Sequence, residues 1–124
     1  MEDFVHLTSV AGVEAGGLKA ASVEDHEFLV ANVNGEYFVT DARCPHMGGH
    51  LPNGTLESYI ITCPRHHSQF DLRDGHVVRW TDWRGAQLSI AELLRHPRPL
   101  RTYEVRIDGT EIMVGREKTP PAPQ

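Results

Sequence analysis

The feature that most constrains this chain is the arrangement of its only two cysteines, each closely followed by a histidine. A C-x-H unit runs from Cys44 to His46, and sixteen residues later a C-x-x-H unit runs from Cys63 to His66. Small scaffolds that depend on disulfides usually carry more than two cysteines, and a disulfide would not require a histidine beside each one. The pattern therefore indicates a metal site built from two loops, each supplying one thiolate and one imidazole.

Two chemistries fit this ligand set. Two thiolates suit one iron of a 2Fe–2S cluster and two imidazoles suit the other, which is Rieske-type ligation. Two cysteines with two histidines also form a structural zinc set, but zinc fingers pair like with like, whereas each loop here carries one of each. The alternation favours the cluster, with zinc as the alternative. Gly48 and Gly49 support it, because they allow backbone geometry that a Cβ would forbid and let amide N–H groups approach cluster sulfurs.

The remaining sequence is typical of short strands joined by glycine turns. Three dipeptides, Asn34-Gly35, Asp74-Gly75 and Asp108-Gly109, each predict a hairpin. The strands are predicted at residues 5–10, 27–33, 36–40, 55–62, 70–73, 76–80, 102–107 and 111–114. Regular spacing of this kind predicts an all-β fold, an antiparallel sandwich or small barrel.

One segment departs from the β pattern. Ser89 and Glu92 form a capping box and Pro97 ends the segment, so a short helix is predicted near 89–96. The length of 124 residues allows one domain, predicted over 1–117. Residues 118–124 form a Pro-rich tail with nothing to bury, predicted to be disordered.

Charge and hydropathy restrict the partners and the location. Seventeen acidic against twelve basic residues give a net charge of −5, which argues against nucleic acid as the main partner. A mildly acidic carrier would suit partners with basic docking surfaces. The acidic N-terminus does not resemble a signal peptide, and no apolar run is long enough for a membrane span. We therefore expect a cytoplasmic protein that contacts no membrane and is a monomer by itself.

The segments 44–51 and 63–75 resemble the two cluster loops of Rieske proteins, most closely those of the soluble ferredoxins of bacterial multicomponent oxygenases. The resemblance extends over residues 4–115. It implies the Rieske fold, in which a cluster-binding subdomain stands on an antiparallel β base. It further implies one 2Fe–2S cluster on Cys44, His46, Cys63 and His66, with Pro99 in a loop that shields its third side.

Two departures from other Rieske proteins refine this expectation. Respiratory and photosynthetic relatives carry an extra cysteine in each loop, and these positions are Gly49 and Arg65 here, so no disulfide is expected. Those relatives also use serine and tyrosine hydroxyls to raise the cluster potential. Ser68 stands at the serine position, whereas Phe70 replaces the tyrosine, and we expect a midpoint in the lower half of the roughly −150 to +300 mV range.

The resemblance implies an electron-transfer protein rather than an enzyme. The leading interpretation is a soluble one-electron carrier between an NAD(P)H-dependent, flavin-containing reductase and a terminal oxygenase. A terminal oxygenase itself would need a further domain with a two-histidine, one-carboxylate iron site. Two alternatives stay open: a small electron-transfer subunit of a larger, nitrite-reductase-like complex, and a redox-sensing binding module.

Two further histidines flank the expected ligands. His50 follows the first loop and His67 the second, where relatives mostly have proline and a small residue. They are interpreted as solvated loop residues, with a docking rim for a partner as the alternative.

Overall fold

Ten short strands form two antiparallel sheets in this computed structural model, which describes residues 4–45, 48–65, 67–79 and 98–121. The larger sheet contains β1 (Val5–Ser9), β2 (Leu18–Val23), β3 (His26–Val33), β4 (Glu36–Asp41), β9 (Thr102–Asp108) and β10 (Glu111–Glu117). The smaller sheet contains β5 (Thr55–Glu57), β6 (Ile60–Thr62), β7 (Gln69–Asp71) and β8 (Val77–Arg79). The predicted all-β fold is confirmed.

The larger sheet is almost a closed barrel. Its strand order is β1-β10-β9-β4-β3-β2, and the two outer strands contact each other. Near-closure protects the edges, which would otherwise expose unpaired backbone groups. Val30, Val39, Ile112 and Val114 fill the interior and are at most 3% exposed.

Strand β3 is buried on both faces and so joins two hydrophobic cores. Side chains alternate along a strand, and Phe28 and Val30 accordingly point into the barrel. Leu29 and Ala31 point the other way and pack with the core of the smaller sheet. This second face fixes where the smaller sheet lies on the barrel, and with it the two cysteine-bearing loops.

Two of the predicted hairpins have the turn that their sequence requires. Asn34 and Gly35 have φ of 52° and 92° and join β3 to β4 through the pair Val33 and Glu36. Gly109 has φ of 64° in the turn between β9 and β10. Asparagine and glycine tolerate this left-handed region at low cost, so these turns could be predicted from sequence.

The structure differs from the sequence prediction in two strands. Strand β2 was not predicted, because Lys19, Ala20 and Ala21 have no strong β preference; its pairing with β3 along its whole length forms it. Residues 55–62 were predicted as one strand, which is wrong. They form a tight hairpin of β5 and β6, in which Ser58 adopts a φ of 55°.

The Asp74-Gly75 hairpin is also present, although β7 and β8 are shorter than predicted. Gly75 has φ of 84° and its N–H donates to the Asp71 carbonyl at 2.7 Å. Its own carbonyl accepts a hydrogen bond from the Leu100 N–H at 2.8 Å, and a side chain at this position would overlap the Leu100 carbonyl. The turn thereby fixes the segment that carries Pro99.

The predicted helix near 89–96 lies outside the described residues. The helical elements of the described ranges are two 3₁₀ turns, Val10–Gly12 and Leu51–Asn53. None of the helices described is long or apolar enough to cross a membrane. The domain boundary after residue 117 stays a prediction; Lys118 donates hydrogen bonds to the Thr102 carbonyl and, through Nζ, to the Arg73 carbonyl.

Candidate metal centre

The first cysteine loop begins where β4 ends. The Cys44 N–H donates to the Gly49 carbonyl at 2.8 Å, and the Cys44 carbonyl accepts from the Gly48 N–H at 2.8 Å. Gly48 has φ of 73°, in the left-handed region that favours glycine. These bonds close a tight loop whose tip lies between Cys44 and Gly48.

The second cysteine loop repeats this hydrogen-bond pattern. It begins where β6 ends; the Cys63 N–H donates to the Ser68 carbonyl at 2.8 Å, and the Cys63 carbonyl accepts from the His67 N–H at 3.1 Å. His67 stands where the first loop has Gly48, and its φ of 61° is also left-handed. The two loops are therefore alike in backbone, which the spacing of their histidines does not reveal.

The loops face each other across Gly49. A Cβ on Gly49 would lie 2.5 Å from the Cys63 Sγ and 3.2 Å from the Arg65 Cβ. The two positions where respiratory relatives are expected to carry their extra cysteines are thus adjacent here, and neither holds a cysteine. Cys44 and Cys63 do not form a disulfide with each other.

Each loop combines a buried cysteine with an exposed tip. Cys44 is 3% and Cys63 2% exposed, whereas Gly48, Pro64, Arg65 and His67 are exposed. In the described residues the cysteine side chains are thus shielded from solvent while several residues beside them are exposed. His46 and His66 lie outside the described residues, so the assignment of these four ligands stays a proposal.

Three further expected site residues lie around the loops. Ser68 and Phe70 are fully buried behind the second loop, Phe70 on β7 against Ile61 of β6. Pro99 lines an open cleft together with Cys44, Pro45 and Gly48. This placement agrees with a Pro99 loop on a third side, although the roles of these residues stay predictions.

Two carboxylates near the loops are held by side-chain hydrogen bonds. The buried Asp71 carboxylate accepts hydrogen bonds from Arg73 Nε at 3.0 Å and Nη2 at 2.7 Å, and these bonds lower its pKa. His50 Nε2 lies 3.0 Å from Glu27 Oε2, and this hydrogen bond lowers the pKa of Glu27. His50 is thus attached to β3, which neither interpretation of this residue from sequence anticipated.

Sequence reasoning also missed three arginines that donate to loop carbonyls. Arg98 Nη2 donates to the Pro45 carbonyl at 2.8 Å. Arg79 donates to the His67 carbonyl through Nε at 3.1 Å and Nη2 at 2.9 Å, and Arg43 donates to the Gly48 carbonyl at 3.4 Å. No motif connects these arginines, and only Arg43 adjoins a cysteine in sequence.

The loops fit an iron–sulfur cluster. Two buried cysteines that form no disulfide begin two facing loops of the same backbone form, and Gly49 keeps open the space beside Cys63 Sγ that a side chain would occupy. Thiolates are the ligands that iron–sulfur clusters require. The fold and the two cysteine loops together are those of a small β protein of the iron–sulfur class.

The comparisons with known proteins name the family. Residues 3–104 match the family model described as the Rieske [2Fe-2S] domain, so the chain belongs to this family and carries one Rieske-type 2Fe–2S cluster. The ferredoxin component of the p-cumate 2,3-dioxygenase system of Pseudomonas putida is 31% identical over 92% of this chain and 86% of its own length. The ferredoxin component of the naphthalene 1,2-dioxygenase system of Pseudomonas aeruginosa is 26% identical over 91% of this chain and 95% of its own length.

Among solved structures, a ferredoxin of Sphingomonas yanoikuyae B1 has the same fold. It superimposes with a TM-score of 0.72 at 29% identity, over 92% of this chain and 99% of its own. The predicted Rieske fold and the resemblance to soluble ferredoxins are therefore confirmed.

Proposed function

We propose that this protein is a one-electron carrier that takes electrons from an NAD(P)H-dependent, flavin-containing reductase and delivers them to a terminal oxygenase. The observation that carries the proposal is the one-sided site: buried cysteines, exposed loop tips, and a match to ferredoxin components over nearly their whole length. A carrier needs a cluster close to the surface that a partner can approach.

The proposed ligands divide by chemistry. Cys44 and Cys63 would hold one iron, and His46 and His66 the other. When bound, the cluster accepts and returns one electron, at a higher potential than an all-cysteine cluster because two neutral imidazoles replace two thiolates. The protein's part is to keep the sulfur side buried, as Cys44 and Cys63 are.

The test of the function is reconstitution. Holoprotein is combined with NADH and the purified reductase and oxygenase components of an aromatic dioxygenase system, and substrate-dependent oxygen uptake is measured. Uptake should require the holoprotein and should be absent with the apoprotein. A protein that dithionite reduces, but that neither accepts electrons from a reductase nor passes them to an oxygenase, would contradict the proposal. Stable co-purification with a large flavin or haem subunit would favour the reductase-subunit alternative.

The test of the ligands is spectroscopic. In reduced protein labelled with ¹⁵N-histidine, pulsed electron paramagnetic resonance should show two strongly coupled imidazole nitrogens. His46→Ala or His66→Ala should remove the cluster or one coupling, whereas His76→Ala should leave both. Two couplings that persist in His46→Ala and His66→Ala would disprove the assignment. The proposed location in the cytoplasm and the monomeric state are checked by fractionation and analytical ultracentrifugation.

A further inference from the structure

The charge of the described residues is unevenly distributed: arginines gather around the two cysteine loops although the whole chain carries −5. Acidic residues are absent from both loop segments, 42–56 and 58–70. Five arginines surround these loops in the structure, and we call them the basic rim: Arg43, Arg65, Arg79, Arg98 and Arg101.

Three members of the basic rim donate hydrogen bonds to loop carbonyls, and the other two lie beside the loops. Arg79 and Arg98 donate to the carbonyls of His67 and Pro45, which adjoin the proposed histidine ligands in sequence. Arg43 donates to the Gly48 carbonyl, and the Arg65 Cβ lies beside Gly49. Arg101 lines the same open cleft as Arg98 and Cys44.

Carboxylates of the described residues compensate the positive charge of the rim in part. Glu27 and Asp41 approach it, Asp25 lines a groove with Arg43, and Asp74 and Glu117 line a cleft with Arg98 and Arg101. Glu27 binds His50 at 3.0 Å and lies 3.9 Å from the exposed Arg43. Asp41 accepts hydrogen bonds from Tyr103 at 2.6 Å and from His26 at 2.8 Å. Arg65 and Arg101 have no ion-pair partner in the described ranges.

Backbone carbonyls leave the charge of a guanidinium intact. Arg79 and Arg98 are therefore held in place while their charge stays available to a partner. Fixed charges around an exposed site attract a partner of opposite charge and orient it during encounter. Because Arg79 and Arg98 have already lost side-chain freedom, docking loses less entropy at these two positions than it would with mobile side chains.

We propose that the basic rim is the docking surface for a redox partner whose own electron-transfer site is bordered by carboxylates. This inference rests on the proposed carrier function. It reverses the expectation from net charge, which favours partners with basic docking surfaces. The reversal arises because the arginines of the rim gather around the loops, whereas some of the acidic residues lie elsewhere, for example Asp108 and Glu111 at the turn between β9 and β10.

The first experiment measures binding without electron transfer. Fluorescence anisotropy of a labelled octaglutamate peptide is titrated with oxidised holoprotein at low and moderate salt. Binding should occur, weaken with salt, and weaken at least about twofold in Arg65→Gln and Arg101→Gln at ~0.01 M ionic strength. Arg106→Gln, an equal charge change on β9 far from the loops, should bind as the unaltered protein does. Absence of binding, or equal loss in Arg106→Gln, would overturn the proposal.

The second experiment locates the positive potential at the electron exit. The oxidation of reduced holoprotein is followed by stopped flow with anionic ferricyanide and with cationic hexaammineruthenium(III). The ferricyanide rate should fall with rising salt and the ruthenium rate should rise, opposite to what a net charge of −5 predicts. For a charge ~10 Å from the reagent, Arg65→Gln should slow ferricyanide about fourfold at ~0.01 M and about twofold at ~0.15 M ionic strength. A ferricyanide rate that rises with salt would refute the rim.

The third experiment separates failure of the rim from failure of the carrier function. The reductase and oxygenase assay is repeated with Arg65→Gln and Arg106→Gln across a salt series. Slower reduction of Arg65→Gln alone, with the difference vanishing at high salt, supports the rim. Equal rates for both variants overturn it and leave the carrier function intact. If neither the reductase nor the oxygenase exchanges electrons with the unaltered protein, the proposed carrier function is wrong. The rim is then not a docking surface for a redox partner, even if ferricyanide and hexaammineruthenium(III) detect positive potential there.

Discussion

Replacing Gly49 by alanine tests whether the two loops meet as the structure shows. The new Cβ would lie 2.5 Å from Cys63 Sγ and 3.2 Å from the Arg65 Cβ. Carbon atoms and their neighbours separate by about 3.5–4.0 Å at optimal contact, so the sulfur must move by roughly 1 Å. A functional site tolerates displacements of about 0.5 Å, so the cluster should be lost or weakly held.

Gly48→Ala is the matched control. Apart from its chain neighbours, no atom of the described residues lies within 4 Å of a Cβ at this position, but its φ of 73° strains any residue other than glycine. We expect a backbone penalty of about 1–2 kcal/mol for Gly48→Ala and an overpacking penalty of about 1–3 kcal/mol for Gly49→Ala. The two variants are thus similar in stability but should differ in cluster content.

The assay counts iron and acid-labile sulfide per polypeptide and follows bleaching of the visible absorption on heating. Gly49→Ala should retain less than about half of the iron, whereas Gly48→Ala should retain nearly all of it, consistent with a local steric effect on one ligand. Full iron content and unchanged bleaching in Gly49→Ala would show that Cys63 Sγ does not lie against Gly49, and would refute the reasoning.

Three other predictions follow from buried side chains. Asp71→Asn should destabilise the fold by about 1–3 kcal/mol at neutral pH in chemical denaturation. Because Arg73 lowers the Asp71 pKa below 3.8, the unaltered protein should keep this stabilisation above about pH 4 and lose it only as the pH falls further. A difference in unfolding free energy between the two proteins that is the same at pH 2 and pH 7 would contradict this prediction. Burial and the hydrogen bond to Asp41 raise the pKa of Tyr103, so its phenolate absorbance, taken as the difference from Tyr103→Phe, should develop well above pH ~10. The contribution of Tyr103 to the free energy of unfolding should hold below pH ~10 and decline above it. Phenolate formation near pH 10 would count against the contact. Phe70→Tyr, which places a hydroxyl behind the second loop, should raise the midpoint potential by a few tens of millivolts in voltammetry. Phe38→Tyr is the control. An unchanged or lower midpoint in Phe70→Tyr would argue against the role assigned to this position.

Local chemistry explains which parts of the molecule could be predicted from sequence. Two hairpin turns at Gly35 and Gly109 were predicted because their left-handed conformations depend on residue type alone. The hairpin at Ser58 was missed because serine has no strong preference for the left-handed region, so its φ of 55° could not be predicted from residue type. Strand β2 exists through pairing with β3, a long-range interaction that a residue pattern does not contain.

Net charge shows the limit of composition as a guide to function. The total of −5 follows from counting residues, and it favoured basic partners. The sign of the electrostatic potential at the loops depends on where the arginines lie. Arg98, for example, donates to the Pro45 carbonyl although the two residues are 53 positions apart in the chain. A count is the same for every arrangement, whereas the potential at a site falls with distance and with screening.

The sequence by itself determined the identity of the metal chemistry, because ligand type and spacing are properties of short segments. The paired units beginning at Cys44 and Cys63 sufficed to predict a Rieske cluster, and the family match agrees. Only the tertiary structure decided how the two loops meet at Gly49 and which charges surround them. Those features arise from contacts between residues far apart in the chain, and folding alone brings such residues together.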